Sequence, residues 1–359
     1  MPWLRLAIQE GFKKTDMRKV LFSIEKYSDI AHPEWGVAHD YGILGSLASS
    51  NMGVVSEFRY DQFMKDNPDG DVDAALIKRC EQSKPDMVMA THVIQMGEKN
   101  IKPETYGHIR DELKIPVAMV WGESAPDVVR YADVFVPHIT VNVFMDTRDE
   151  WRRHTKFPEK CVHLFEPKDT RLFNCDGDAR RDIPLSFVGT VAGRMDRALN
   201  LGFVRGRLPE ELDRTFVVVG GQRSSGLWPS DYANFLRRSV VTIGFSSAIT
   251  FQHLTGRTIE AALCGAMLLE SENGETPNLL DPYADYVPFK EHFHYVNHGQ
   301  IAAQDGDLAE KALHYAYQKP EEAQRIAESG RRKVLERCDG QEFWGKLFEV
   351  IGIKKEDES

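Results

Sequence analysis

Arg257 and Glu260 lie three positions apart in the segment 244–289, GFSSAITFQHLTGRTIEAALCGAMLLESENGETPNLLDPYADYVPF, and carry the clearest chemistry in the chain. The segment reads as a strand ending at Phe245, a loop, a short helix that Thr255 or Thr258 can cap and Gly265 can end, and a strand from Ala266. In a parallel sheet this puts the loop and helix start at the carboxyl edge of the strands. Ligands bind at that edge, and the free N–H groups of a helix start favour an anion there. Arg257 falls in the first helical turn, where a cation opposes the helix dipole, so its placement points to an anionic partner such as a diphosphate. Glu260, one turn on, can accept two hydrogen bonds from the vicinal hydroxyls of a ribose. Gly256 and Thr258 share this helix start and count as ligand-binding candidates with it. The competing reading is an exposed ion pair between Arg257 and Glu260, at i and i+3.

Gly189, Gly220 and Gly221 each follow a strand-like run. They are either turn residues or places where a nucleotide approaches the backbone closely. Gly220-Gly221 lacks the remainder of G-x-G-x-x-G, so no dinucleotide fingerprint is present. Candidates in the first half are thinner. His92 follows the run MVMA, Glu123 follows VAMVW, and His39-Asp40 opens a helix after a long loop. In a parallel sheet all three gather at one edge, where a carboxylate or imidazole can act as general base, but each reads equally as a loop polar residue or a helix cap. Trp35, Tyr41 and Trp121 either wall a sugar ring or pack the loops.

No metal site is expected. His292, His294 and His298 in EHFHYVNH are accompanied by no acidic or cysteine ligand set beyond Glu291. The Asp-Gly-Asp triplets at 69–71 and 176–178 lie in polar sequence and read as turns. The phosphate-loop, HExxH and GxSxG motifs are absent, which disfavours a nucleoside triphosphatase, a zincin and an α/β-hydrolase.

These residues need elements to hold them, and the chain supplies an alternation of short apolar runs with helical periodicity. Strands are expected over 20–24, 54–58, 87–90, 117–121, 134–137 and 161–165, then 185–188, 215–220, 240–245 and 266–270. Unbroken apolar runs imply strands covered on both faces, as in a parallel sheet. The expected fold is α/β: two Rossmann-like doubly wound domains facing a cleft. Residues 1–166 are expected to form a first domain, 167–183 a polar linker, 184–335 a second domain, and 336–359 a helical end that either packs on its own domain or crosses back to the first. The tail from 321 to 351 reads as one helical stretch, with Phe343, Trp344, Leu347, Phe348 and Ile351 on one face.

Composition narrows the class. The chain has 359 residues, 42% of them apolar and 28% charged, enough for two buried cores and against long disorder. A net charge of −10 repels a nucleic-acid backbone. No run approaches the ~18 apolar residues of a membrane helix. Five scattered cysteines without a CxxC pair, and no leader peptide at the start, lead to the expectation of a reduced, cytoplasmic protein. The first twenty residues carry five Lys/Arg against two Asp/Glu, but so short and weakly amphipathic a segment binds a membrane only marginally, and membrane contact is not expected.

The pattern TGRTIEAALCGAMLLE at 255–270, followed by ETP and YVPF, resembles the donor-binding segment of glycosyltransferases of the GT-B fold, and most of all the CgeB-like group, named for a spore-maturation protein. SFVGT at 186–190, with Arg194 and Arg197 after it, resembles the first strand and phosphate-facing loop of that group's C-terminal domain. The resemblance covers about 184–337. It implies an acceptor bound by the first domain and, on the second, a nucleotide-sugar donor held by Gly189, Thr190, Arg194, Arg197, Gly220, Gly221, Gln252, Gly256, Arg257, Thr258 and Glu260. Glu260 would be the second acid of a Glu-x7-Glu pair that binds the ribose; Gln252 stands at the first position, which leaves the stereochemical outcome open. Glu123 resembles an acidic position after the corresponding first-domain strand. The expected catalytic residues are Glu123, His92 and Arg257, with Trp35, His39, Asp40 and Tyr41 on the acceptor side.

The expectation is a glycosyltransferase (EC 2.4, hexosyltransferase type) with no cofactor and no metal, moving a sugar from a nucleoside-diphosphate sugar to a saccharide, lipid-linked or protein acceptor. A nucleotide-sugar 2-epimerase and a non-catalytic two-lobed small-molecule binding protein remain the alternatives.

Overall fold

The computed structural model describes residues 17–25, 42–91, 100–122, 125–146, 150–175, 180–191, 193–220, 227, 229–246, 253–297 and 299–353. Among them, β1 (Arg18–Ile24), β2 (Gly53–Arg59), β3 (Met87–Thr91), β4 (Val117–Trp121), β5 (Val141–Phe144) and β6 (Cys161–His163) form a six-stranded sheet in the order β2-β1-β3-β4-β5-β6. A second sheet holds β7 (Ile183–Val188), β8 (Phe216–Val219), β9 (Ser239–Gly244), β10 (Met267–Ser271) and β11 (Val287–Phe289) in the order β11-β10-β9-β7-β8. The hairpin β12 (Phe293–Asn297) and β13 (Gln300–Ala303) stands apart. All neighbouring pairs in both sheets are parallel. Every residue of β3, β4 and β10 is buried, so these strands are covered on both faces.

Each sheet reverses its strand order once, between β1 and β3 and between β7 and β9. Crossovers leave on opposite faces at such a point, and a crevice opens beyond the carboxyl ends of the two strands. The two doubly wound domains expected from the sequence are therefore present. Six helices bear on the site: α1 (Ile43–Ser50), α2 (Met195–Arg207), α3 (Pro229–Arg238), α4 (Gly256–Leu263), α5 (Pro320–Arg337) and α6 (Gly340–Val350). No helix among the described residues is long and apolar enough to cross a membrane.

Three expectations are corrected. The strand expected over 134–137 is the end of a helical stretch, Pro126–Ala132 followed by a 3-10 turn at Val136–His138, and the strand lies further on at β5. Pro137 has no N–H for a sheet ladder, and Phe135 instead packs edge-on against Trp121 and Tyr131 in the core. Trp121 therefore does not wall a ligand: it is 3% exposed and its Nε1 donates to Asn142 Oδ1 at 2.8 Å. The helical tail breaks at Cys338 and Asp339 into α5 and α6. A Cβ at Gly340 would lie 2.7 Å from the Ser46 carbonyl, so the glycine lets α6 approach α1 closely.

The break directs the two helices to different sheets. Val334 of α5 packs with Leu263 and Leu279 of the second domain. Phe343, Trp344, Leu347 and Phe348 of α6 pack with Val20, Phe22, Leu47 and Met89 of the first. Trp344 meets the Phe22 ring edge-on at 5.9 Å and donates from Nε1 to Ser46 Oγ at 3.0 Å. The chain thus passes between domains twice, once between β6 and β7 and again at 338–339.

Candidate active site

The second sheet's strand reversal places the ends of β7 and β9 side by side, and α4 starts beside them. The lengths of strand and loop bring Gly189, Arg197 of α2 and Arg257 of α4 to one cavity of about 500 Å³, lined by Val188, Thr190, Arg197, Tyr232, Arg257 and Glu260 among others. The Arg257 guanidinium lies 5.6 Å over the Phe187 ring. It fills the space a side chain at Gly189 would need, since a Cβ there would come within 2.7 Å of Arg257 Nη2. Gly220 has φ +120°, and a Cβ on it would lie 2.0 Å from the Gly189 carbonyl. Gly220 is thus required by close contact with backbone, and Gly189 leaves room for the Arg257 guanidinium, with no ligand needed to explain either.

The cavity is cationic. Among the described residues neither Arg257 nor Arg197 has a carboxylate at ion-pair distance, and the Nε of each is buried without a hydrogen-bond partner. Among the described residues Arg197 donates to two carbonyls, of Thr190 and Phe245, both at 3.3 Å. Burial, with Arg194 and Arg257 nearby, pushes its guanidinium down to about 10. Arg194 is neutralised by Asp196 at 2.7 Å. His253 is held down to about 4 by burial and by Arg197 and Arg194, so at neutral pH it adds no charge. A desolvated cation without a counterion is unfavourable, and an anionic ligand beside the α4 N-terminus relieves that cost.

Glu260 is 6% exposed, and the structure contradicts its reading as the surface partner of Arg257. Its Oε1 instead takes the Lys168 ammonium at 2.8 Å, and its Oε2 accepts from the Tyr232 hydroxyl at 2.9 Å. Burial and Glu260 raise the Tyr232 phenol far above its ordinary value, so it stays a donor. Lys168 went unseen in the sequence because it stands in the polar linker. Thr258 is misplaced as a ligand contact: its side chain is fully buried, its N–H donates to the Thr255 carbonyl, and its Oγ1 faces Glu270 beneath the helix. Glu123, His92, Gly221, Gln252, Trp35, His39, Asp40 and Tyr41 lie outside the described residues.

Glu270, at the end of β10, is fully buried and accepts from Ser246 and from Thr258 at 3.4 Å. Burial raises its carboxyl from 4.5 to about 7. A carboxyl that holds its proton longer in the folded chain makes stability fall as pH rises from the unfolded value to the folded one, with no further change above. The expected loss is on the order of 3 kcal/mol between pH 4.5 and 7. Urea unfolding of Glu270→Gln across this range is expected to show that slope removed; parallel profiles for variant and parent contradict the burial argument.

In the first sheet the β1/β3 reversal holds another carboxylate that sequence reading passed over. Glu25 follows β1, is 7% exposed, and accepts from Thr91 Oγ1 at 2.5 Å and from the Tyr60 hydroxyl at 3.3 Å. Its position, first after a strand at the switch point, is the signal that was available. The two sheets' carboxyl edges meet where Leu254 N–H donates to the Asp146 carbonyl at 2.7 Å. Among the described residues no three His, Cys, Asp or Glu side chains converge as a metal site. Of the Asp-Gly-Asp triplets, the first caps a helix, with Asp71 accepting from Ala74 N–H at 3.0 Å, and the second lies outside the described residues.

Residues 202–348 match the model of a family described as glycosyl transferase-like. No curated protein matches the chain. Among solved structures, Anabaena HepE in complex with UDP is 9% identical, with 93% of this chain and 99% of that one covered at a TM-score of 0.58. Sucrose-phosphate synthase from Thermosynechococcus elongatus is 11% identical over 93% and 98% at 0.57. A glycosyltransferase from Rickettsia africae is 10% identical over 93% and 98% at 0.56. These likenesses, at such low identity, show the fold: the two-domain Rossmann-like arrangement called GT-B.

Proposed function

We propose that the chain is a GT-B glycosyltransferase that moves a sugar from a nucleoside-diphosphate sugar to an acceptor hydroxyl. One observation carries this reading: two guanidiniums that have no carboxylate at ion-pair distance among the described residues meet a helix N-terminus at the strand reversal, with the Glu260 carboxylate one turn away. That is the charge pattern of a nucleoside diphosphate, with the phosphates against Arg257, Arg197 and the α4 N–H groups and the ribose hydroxyls donating to Glu260. Breaking the glycosidic bond leaves a diphosphate whose charge grows toward the transition state, and fixed cations in a desolvated pocket stabilise it there. Arginines can do this without a metal, so activity is expected to survive chelation. The match of residues 202–348 to a glycosyl transferase-like family and the UDP and UDP-glucose bound by Anabaena HepE support the same donor class.

On the acceptor side, Glu25 at the first sheet's carboxyl edge is a group able to take a proton from the attacking hydroxyl, while Glu123 and His92, expected from the sequence in that role, lie outside the described residues. The kinship proposed within the fold is the CgeB-like group. A cytoplasmic location belongs to the same reading, supported by five cysteines of which none is paired.

The test is a thermal-shift series with nucleoside diphosphates of each base, in EDTA. At least one is expected to raise the melting temperature in step with the logarithm of its concentration. Glu260→Ala is expected to weaken that binding by about 1–3 kcal/mol through lost charge-assisted hydrogen bonds. No shift with any of them, or a full shift in the variant, contradicts the assignment. Incubation with nucleotide-sugar alone separates transfer from epimerisation, since only an epimerase converts the donor without an acceptor.

A further inference from the structure

Lys168 sits in the segment joining the two sheets, yet only 1% of its side chain is exposed. Its ammonium lies 2.8 Å from Glu166 Oε1 and 2.8 Å from Glu260 Oε1. The trio fits against Gly256 at the start of α4, where a Cβ would come within 2.7 Å of Lys168 Nζ and 2.9 Å of Glu166 Oε2. The next residue faces the other domain: Asp169 packs on α1, where a Cβ at Gly45 would lie 2.7 Å from Asp169 Cβ. Adjacent linker residues thus fasten to the donor-side helix and to the first domain.

Burying a lysine with two carboxylates gains little stability over an apolar core, because desolvation offsets the Coulomb attraction. Burial works against the charge on Lys168, but Glu166 and Glu260 more than offset it and hold the ammonium well above the ordinary lysine value. What the arrangement does achieve is to fix Glu260. Helix geometry places Arg257 and Glu260 at i and i+3, where they can pair. Such a pair would neutralise the guanidinium proposed to meet the diphosphate and turn the carboxylate away from the ribose. Lys168 occupies one carboxylate oxygen and Tyr232 the other, which leaves Arg257 without a carboxylate at ion-pair distance among the described residues and two acceptor sites on Glu260 still open.

We propose that Lys168 is a positioning residue of the donor site, reserving Glu260 for the ribose and Arg257 for the diphosphate, and so tying nucleotide selectivity to the linker. The inference rests on the donor reading above. Its signature is discrimination between ribo- and 2′-deoxyribonucleotides, which a purely structural lysine does not control.

The experiment measures dissociation constants of UDP, GDP, ADP and CDP and their 2′-deoxy forms by calorimetric titration of the full chain, as parent and as Lys168→Met. The parent is expected to favour a ribo form by about tenfold or more, the worth of one charge-assisted hydrogen bond. In Lys168→Met that ratio is expected to approach one, with the ribo form weakened by about ten- to a hundredfold. Near-UV circular dichroism reports whether the variant is folded. Lys168→Met/Glu166→Gln, which leaves one fewer unpaired carboxylate, carries the test if the single variant does not fold. A variant that binds both forms more weakly but keeps the parental ratio overturns the positioning role while leaving the donor reading intact. A parent that binds none of the eight overturns the donor reading itself.

Discussion

Arg257→Ala is expected to lower kcat by about 10²–10³-fold, the cost of losing one preorganised group that meets developing charge, while donor KM rises far less. Ground-state phosphates already carry negative charge and keep Arg197 and the α4 N–H groups, so binding survives in part. Charge on the leaving diphosphate grows as the glycosidic bond breaks, so the missing guanidinium is felt most in the transition state. The side chain is prepared for this: it lies over the Phe187 ring, beside a glycine whose absent Cβ leaves it room, and no carboxylate competes for it among the described residues. Lysine at 257 keeps the charge but not the planar fork and is expected to recover only part of the rate. Steady-state kinetics of both variants check this, and an unchanged kcat would return Arg257 to a packing role on Phe187.

Trp344→Ala is expected to destabilise the chain by about 3–5 kcal/mol, the usual range for truncating a fully buried large aromatic side chain. Trp344 has no exposed surface, contacts Phe22, Phe343 and Phe348, and holds α6 to the first sheet through Ser46. The loss should exceed that of Ser46→Ala, which removes one hydroxyl that accepts from Trp344 Nε1 and donates to the Ile43 carbonyl and is expected to cost about 1–2 kcal/mol. Urea unfolding of the two variants ranks them; a Trp344→Ala loss below that of Ser46→Ala would mean that α6 is only loosely seated.

The strands at the sheet centres were readable because parallel strands buried on both faces are written as unbroken apolar runs, as in MVMA and VAMVW. Arg257 was readable because a cation in the first turn of a helix opposes the local field. The misread run at 134–137 is apolar too, and only Pro137 distinguished a turn that buries Phe135 from a strand. The break between α5 and α6 hides in sequence because the 3.6-residue period resumes after Gly340, and the glycine's reason, contact with Ser46, lies on a distant helix. Lys168 and Glu270 carried no local signal. Their burial is decided by partners brought in from elsewhere in the chain, Glu260 for one and Ser246 for the other, and neither a lysine in a polar linker nor a glutamate at the end of a strand is distinguished in sequence from a solvated one.

The most direct measurement is a calorimetric titration in EDTA that compares, for each base, nucleoside, nucleoside monophosphate and nucleoside diphosphate on the parent chain and on Arg197→Ala/Arg257→Ala. For one base the diphosphate is expected to bind at least about a hundredfold more tightly than the nucleoside, as two charge-assisted phosphate contacts imply, and the double variant is expected to lose most of that advantage. Equal affinity for diphosphate and nucleoside, or a diphosphate preference untouched by removing both arginines, would contradict the assignment of this crevice to a nucleotide-sugar donor.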